Sequence, residues 1–314
     1  MSKEAFRSRT GLLENLKGQL LAGRWAAVVG GPMIGKTTLA RRLKEMIDAG
    51  PNRAVLIDLN GLPAPDLFWP KLLEALLQQG IGPETKSRYH RPPNSFPELM
   101  TQLHHLYEKA PSEIHSRPIV LLLDNAEALL PFSETLIPQI INLAQELTLP
   151  PIQAISWIGG ASFGDWVLAN PAAFKPPLRL YPLSAIPIRE AREIIREALG
   201  PTASSEAADR IWNDTGGHPL LLNHAFGEEG GPSVEALQAA LRNALRPEEE
   251  AILDRLDPAG RWTILDDLRD REGQKIPKPQ LDRLCMLGLT IRTLIDGIAA
   301  IRLTSPFFNQ VSGR

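Results

Sequence analysis

The sequence predicts an α/β fold in which a parallel sheet flanked by helices is followed by a helical region and a small helix-and-hairpin module. Short apolar runs alternate with helix-period segments through the first 180 residues, as in stacked β-α units whose strands are covered on both faces. A glycine-rich turn, G-G-P-M-I-G-K-T-T at 30–38, stands between the first such run and the first such helix. Beyond residue 187 the apolar period becomes helical, and the chain then ends in two alternating runs divided by Asp296-Gly297, a two-residue hairpin signal.

Strands are expected at 25–29, 54–59, 119–123, 152–158 and 178–180, with a helix over 37–49. Residues 82–97 are rich in breakers and charge, which predicts a mobile surface excursion in which His90 and Arg91 are solvated. After Pro187, a helix places Ile188, Ala191, Ile194, Ile195, Ala198 and Leu199 on one face. Further helices follow at 204–213, 219–226 and 234–244, interrupted at 227–233. From Glu248 the pattern reads as three short helices and a hairpin, the order of a winged helix. The expected domains are therefore a nucleotide-binding core over 1–182, a helical lid over 183–246 and a winged helix over 247–314.

At 314 residues with a formal charge of −2, the chain can bury a full core and has no bulk attraction to nucleic acid or anionic membrane. Its one cysteine, Cys285, lies in an apolar stretch and cannot form an intrachain disulfide. No run approaches the ~20 apolar residues of a membrane span. A cytoplasmic protein with no membrane partner is expected.

The turn at 30–38 fits G-x-x-x-x-G-K-T, and its setting between strand and helix makes it a phosphate loop. Backbone N–H groups must wrap a polyphosphate, and glycine allows that tight a path because it has no Cβ. The candidate ATP or ADP contacts are Gly30, Gly31, Ile34, Gly35, Lys36, Thr37 and Thr38, with the ammonium of Lys36 on the β- and γ-phosphates. The Thr37 hydroxyl is the first candidate ligand for Mg²⁺. The fold class is accordingly an α/β P-loop NTPase core of the ASCE type with a helical lid and a winged helix.

Residues 119–127 read I-V-L-L-L-D-N-A-E, a buried strand ending in Asp124 at the sheet edge where ligands of open parallel sheets collect. Asp124 is the Walker-B candidate and second Mg²⁺ ligand. Many related ATPases place Glu directly after that Asp; here the position is Asn125, and the nearest acid is Glu127. Glu127 either turns toward the γ-phosphate or faces solvent. With Lys36 and Asp124 it completes the catalytic candidates, and the missing adjacent acid predicts turnover no faster than about 1 s⁻¹. Ser162, Arg179, Arg189 and Arg192 are further polar groups near the sheet edge or lid, and the sequence does not choose among them.

Five segments occur in the order found in the signal-transduction ATPases with numerous domains (STAND) and related archaeal-type AAA-like ATPases: F-R-S-R-T-G-L-L-E-N-L, G-G-P-M-I-G-K-T-T-L-A, L-L-L-D-N-A-E-A-L, L-Y-P-L-S and T-G-G-H-P-L-L-L. The chain resembles that class over nearly its whole length. The resemblance implies that Pro219 lies near the adenine, that Arg9 borders the base, and that lid and winged helix fold over bound ADP until exchange for ATP opens the chain. Two departures are visible: Thr10 replaces the usual acid after the N-terminal arginine, and the winged-helix region holds no histidine. Large STAND proteins carry sensor repeats and an effector, which this sequence lacks, so a partner supplied in trans and nucleotide-dependent oligomers are expected.

The function this predicts is a slow, Mg²⁺-dependent ATP/ADP switch that controls assembly with a partner. The alternative is an AAA+ ATPase loading on DNA, of the origin-recognition or transposition-regulator type. Residues 248–314 carry ten Lys and Arg against eleven Asp and Glu, a net −1 that is unlike a DNA-reading domain. A small-molecule kinase is a third option, disfavoured because it leaves the C-terminal module without a task.

Overall fold

The computed structural model describes residues 9–78, 92–108, 117–147, 151–200, 204–227, 231–256, 276–295 and 298–305. Residues 82–91 of the excursion expected at 82–97, part of the winged helix and the Asp296-Gly297 turn lie outside these residues, and the end of that expected excursion is instead the start of a helix at Phe96. Backbone contacts group the chain into two units. One comprises Gly11–Val29 and Lys36–Tyr181, and the other contains residues 9–10, Gly30–Gly35 and the described residues from Pro182 onward.

In the first unit, α1 (Thr10–Leu21) precedes β1 (Ala26–Gly30), and α2 (Lys36–Asp48) and β2 (Arg53–Asp58) follow. Then come α3 (Phe68–Gln78), α4 (Phe96–Glu108), β3 (Ile119–Asp124), α5 (Leu136–Glu146), β4 (Ile152–Gly159), α6 (Ala161–Ala169) and β5 (Arg179–Leu183). The strands form one sheet in the order β2-β3-β4-β1-β5, with β1/β4, β2/β3 and β3/β4 parallel. This is the expected P-loop NTPase fold. All five residues of β1 and all six of β3 are buried, which explains why both read as unbroken apolar runs rather than as alternating ones.

Two elements depart from the sequence reading for identifiable reasons. Helix α1 was not anticipated, although Leu13, Leu16 and Leu20 recur at helical spacing and are buried. Strand β5 runs on through Pro182 to Leu183, where the sequence reading stopped at 180; an edge strand tolerates a residue without an N–H. Phe163, Trp166 and Phe174 form an aromatic cluster with Trp157 of β4, with contacting ring centroids 5.4–6.2 Å apart.

The second unit contains α7 (Ile188–Leu199), α8 (Ser205–Thr215), α9 (Pro219–Ala225), α10 (Val234–Ala244), α11 (Pro247–Leu256) and α12 (Lys278–Met286). Strands β6 (Thr290–Ile295) and β7 (Ile298–Leu303) pair antiparallel as the expected hairpin. Of the face predicted for α7, Ala191, Ile194 and Ile195 pack with Ile186, Ala208, Trp212 and Leu222. Ile188, Ala198 and Leu199, at the two ends of the helix, stay exposed. Among the described residues, no helix is long and apolar enough to cross a membrane.

Candidate functional site

At the C-terminal edge of the sheet, β3 delivers Asp124 almost fully buried, at 1% exposure. Burial pushes its carboxyl above the usual range; hydrogen bonds from the Thr37 hydroxyl and the Asn125 N–H oppose this, Asp58 adds to it, and Lys36 opposes it. The two residues expected to hold Mg²⁺ are thus in direct contact. Burial also pulls the Lys36 ammonium below the ordinary lysine range, with Glu127 and then Asp124 counteracting it. A lysine flanked by two acids at the start of α2 fits a polyphosphate with its metal, and an Asp–Thr pair supplies the hard oxygen donors that Mg²⁺ takes.

The chain turns sharply after Asp124. Asn125 adopts a left-handed conformation at φ 59°, rare for a residue with a side chain but most tolerated by Asn and Asp. Its Nδ2 donates to Asp58 Oδ1 at 2.7 Å across the strand pair β2/β3, and Asp58 Oδ1 also accepts from the Asn60 N–H at 2.9 Å. The turn leads into a 3₁₀ segment, Ala126–Phe132, that brings Glu127 back over the sheet. Glu127 Oε2 accepts from the Gly160 N–H at 2.8 Å, which ties it to the start of α6. Gly159 permits this approach: a Cβ there would lie 2.8 Å from the Phe163 Cβ and 3.1 Å from Glu127 Oε2.

In the other unit, the segment Gly30–Gly35 is shaped by positive φ at Met33 (55°) and Gly35 (91°). Successive N–H groups in such a path form an anion-binding concavity. Arg9, 7% exposed, donates to the carbonyls of Ile34 at 2.9 Å and Ser184 at 2.7 Å. Burial lowers its pKa to about 10, partly offset by Glu190. His218, fully buried beside Pro219, is held near a pKa of about 3 by burial and by Arg9, against a backbone hydrogen bond to Pro32. The Gly31 N–H donates to the carbonyl of Met286 at 2.7 Å. Pro219 is buried at the first position of α9.

The remaining candidates are placed less centrally. Ser162 is exposed in the first turn of α6. Arg179 lies 5.3 Å over the Tyr181 ring, Arg192 pairs with Asp209 at 2.7 Å, and Arg189 is exposed beside Glu193. Thr38 is half-buried as the third residue of α2. Sequence reasoning passed over Asp58, His218 and Gly160. Asp58 had a usable signal, an acid ending a strand at the ligand edge of the sheet; the other two depend on contacts between distant segments.

Residues 22–152 match the family model described as an AAA domain. This region, which contains the phosphate loop and Asp124, is similar to that family. No curated protein sequence matches the chain. Among solved structures, a Walker-type ATPase of Pyrococcus abyssi is similar at 16% identity and a TM-score of 0.56, over 98% of this chain and 95% of that one. A chain of the Drosophila ORC bound to DNA is similar at 14% identity and a TM-score of 0.51, over 97% and 94%. A STAND protein with a tetratricopeptide repeat sensor from Pyrococcus horikoshii is similar at 19% identity and a TM-score of 0.42, over 95% of this chain and 42% of that one. The two likenesses with TM-scores above 0.5 support the fold alone.

Proposed function

We propose that the chain is an ATP/ADP switch of the STAND or AAA-like class, with slow hydrolysis that controls assembly with a protein partner. The observation that carries this reading is how the sheet-edge acids are engaged. Asn125 occupies the position after Asp124 and bonds Asp58, while Glu127 bonds the Gly160 amide. With one Glu127 oxygen holding that amide, only the other is left to orient a water, which suits a timer better than a fast catalyst.

In this reading the loop N–H groups and Lys36 hold the phosphates, Thr37 and Asp124 hold Mg²⁺, and Arg9 fixes the loop from behind through Ile34. The metal would supply charge neutralisation on the phosphate oxygens. Glu127 holds the attacking water, and Pro219 neighbours the base. The domains are a core to residue 182, a lid to 246 and a winged helix beyond.

The DNA-loading alternative draws on the same fold, but the C-terminal helix does not favour it. Arg283, one of the two bases on α12, is buried against Glu249. A cation so engaged is withdrawn from phosphates. The test is to denature freshly purified protein and quantify the released nucleotide, with Lys36→Ala as control. Stoichiometric ADP, lost in the control, is expected. A protein that is empty and binds ATP only alongside duplex DNA would overturn the switch reading in favour of the alternative.

A further inference from the structure

Strands β2 and β3 end together, with Asp58 directly opposite Asp124. The Leu59 N–H donates to the Asp124 carbonyl at 2.9 Å, so the backbone pairing continues past both acids. Two carboxylates at neighbouring strand ends repel, and Asp58 adds to the upward push on the Asp124 carboxyl. Asp124 is the proposed metal ligand, whereas the task of Asp58 is visible in what it bonds. Its Oδ1 accepts from Asn125 Nδ2 at 2.7 Å and from the Asn60 N–H at 2.9 Å. Its own backbone is held as well, since Lys71 Nζ on α3 donates to the Asp58 carbonyl at 3.1 Å.

Asn125 stands where many related ATPases carry glutamate, and its φ of 59° makes that position unsuited to glutamate here. A left-handed backbone is costly for a long side chain, and Asn is among the residues that bear it best. The turn carries the chain into the 3₁₀ segment Ala126–Phe132, where the Ala128 N–H donates to the Asn125 carbonyl at 3.0 Å. Glu127 lies within that one turn, and its Oε2 reaches the Gly160 N–H at 2.8 Å. The direction of Glu127 is therefore set two residues upstream, by the left-handed turn at Asn125, and Asp58 holds that turn from the neighbouring strand.

We propose that Asp58 is a positioning residue for hydrolysis: by clamping Asn125 in the left-handed turn it aims Glu127, so that the acid absent at 125 is delivered from 127. Asp58 acts through Asn125 and not on the nucleotide. The inference rests on the reading of Glu127 as the group that holds the attacking water, and adds to it the pair that puts Glu127 in place.

The test separates turnover from binding. Asp58→Ala removes the acceptor, and kcat for phosphate release should fall about tenfold while the ADP dissociation constant stays at the parent value. Asp58→Asn keeps an acceptor oxygen and should remain within about threefold of the parent. Adding Asn125→Gly to Asp58→Ala should recover most of the loss, because glycine takes a left-handed conformation unaided. Asn125→Glu, which restores the adjacent acid of related ATPases, should slow turnover: it strains the turn, loses the bond and places a third carboxylate beside Asp58 and Asp124. Hydrogen exchange at the Gly160 amide, followed by NMR without nucleotide, reads the position of Glu127 independently of turnover. It should quicken in Asp58→Ala and return toward the parent rate in the double variant.

A loss in Asp58→Ala that Asn125→Gly leaves uncorrected, or that Asp58→Asn shares in full, would mean that the Asp58 charge acts directly on metal or phosphate, and would overturn the clamp. Faster turnover in Asn125→Glu would overturn it too. Parent kcat in Asp58→Ala beside a slow Glu127→Gln defeats the clamp alone, whereas parent kcat in Glu127→Gln defeats the underlying reading of Glu127.

Discussion

Glu127 shows how a single side chain divides between two tasks, and its position gives a direct test. Its bond to the Gly160 N–H places a carboxylate at the start of α6, where the helix dipole favours it. If the same carboxylate orients water, Glu127→Gln keeps a hydrogen-bond acceptor for Gly160 and loses the base. The expected result is a fall in kcat of about a hundredfold with the ADP dissociation constant unchanged, read by steady-state phosphate release and by titration. Equal losses in both would mean that Glu127 only supports the fold. His218 yields a second residue-scale prediction. With an ordinary value of 6.5 and a folded value of about 3, the unfolded chain binds the extra proton between those limits. Stability therefore rises with pH from about 3 to 6.5 and is level above, with a slope approaching about 1.4 kcal/mol per unit in mid-range. Urea unfolding at pH 5 and pH 7 should show this difference in the parent chain and a smaller one in His218→Gln.

At the scale of elements, legibility followed how local the determinants were. Strands β1 and β3 and helices α8, α9 and α10 were readable because their signals, apolar runs and helical spacing, are contained within them; Ser204 and Ser233 cap α8 and α10 in the structure. Both serines accept from an N–H three residues on, at 3.1 Å. Ser204→Ala is accordingly expected to cost about 1 kcal/mol, measured by chemical denaturation, while a loss below about 0.3 kcal/mol would mean that the α8 terminus frays in the parent. Ile195→Ala, in the cluster with Trp212, should cost about 2–5 kcal/mol. The site was legible to the same degree. The phosphate loop and Asp124 are short motifs placed by neighbouring residues, whereas the Asp58–Asn125 bond spans two strands and the Glu127–Gly160 bond joins segments 33 residues apart. Nothing in a linear pattern marks such a partner. The exposed ends of α7 show a related limit: periodicity gives a face its direction but not how much of it is covered.

Across the whole molecule, the disposition of charge bears on which partner the chain meets. Sequence counting leaves the C-terminal region near neutrality, and the structure removes one more cation from its surface. Arg283 and Glu249 have side-chain exposures of 10% and 3%, and Glu249 also accepts from the Arg246 N–H at 3.0 Å to cap α11. A buried pair of this kind owes its effect to mutual compensation: removing one partner leaves the other charge without it in a poorly hydrated place, at about 3–5 kcal/mol. Arg283→Ala should therefore lower the unfolding midpoint markedly, and the double variant Arg283→Met with Glu249→Leu should recover much of the loss. Duplex DNA binding offers the contrast. If α12 reads DNA, Arg283→Ala weakens binding and flattens its dependence on log salt by about one counterion. If α12 instead anchors the helix–hairpin, the parent shows only weak, salt-quenched binding and the substitution leaves it unchanged at temperatures where the variant is folded. The two measurements separate a structural arginine from a nucleic-acid ligand, and the burial of the pair predicts the structural outcome.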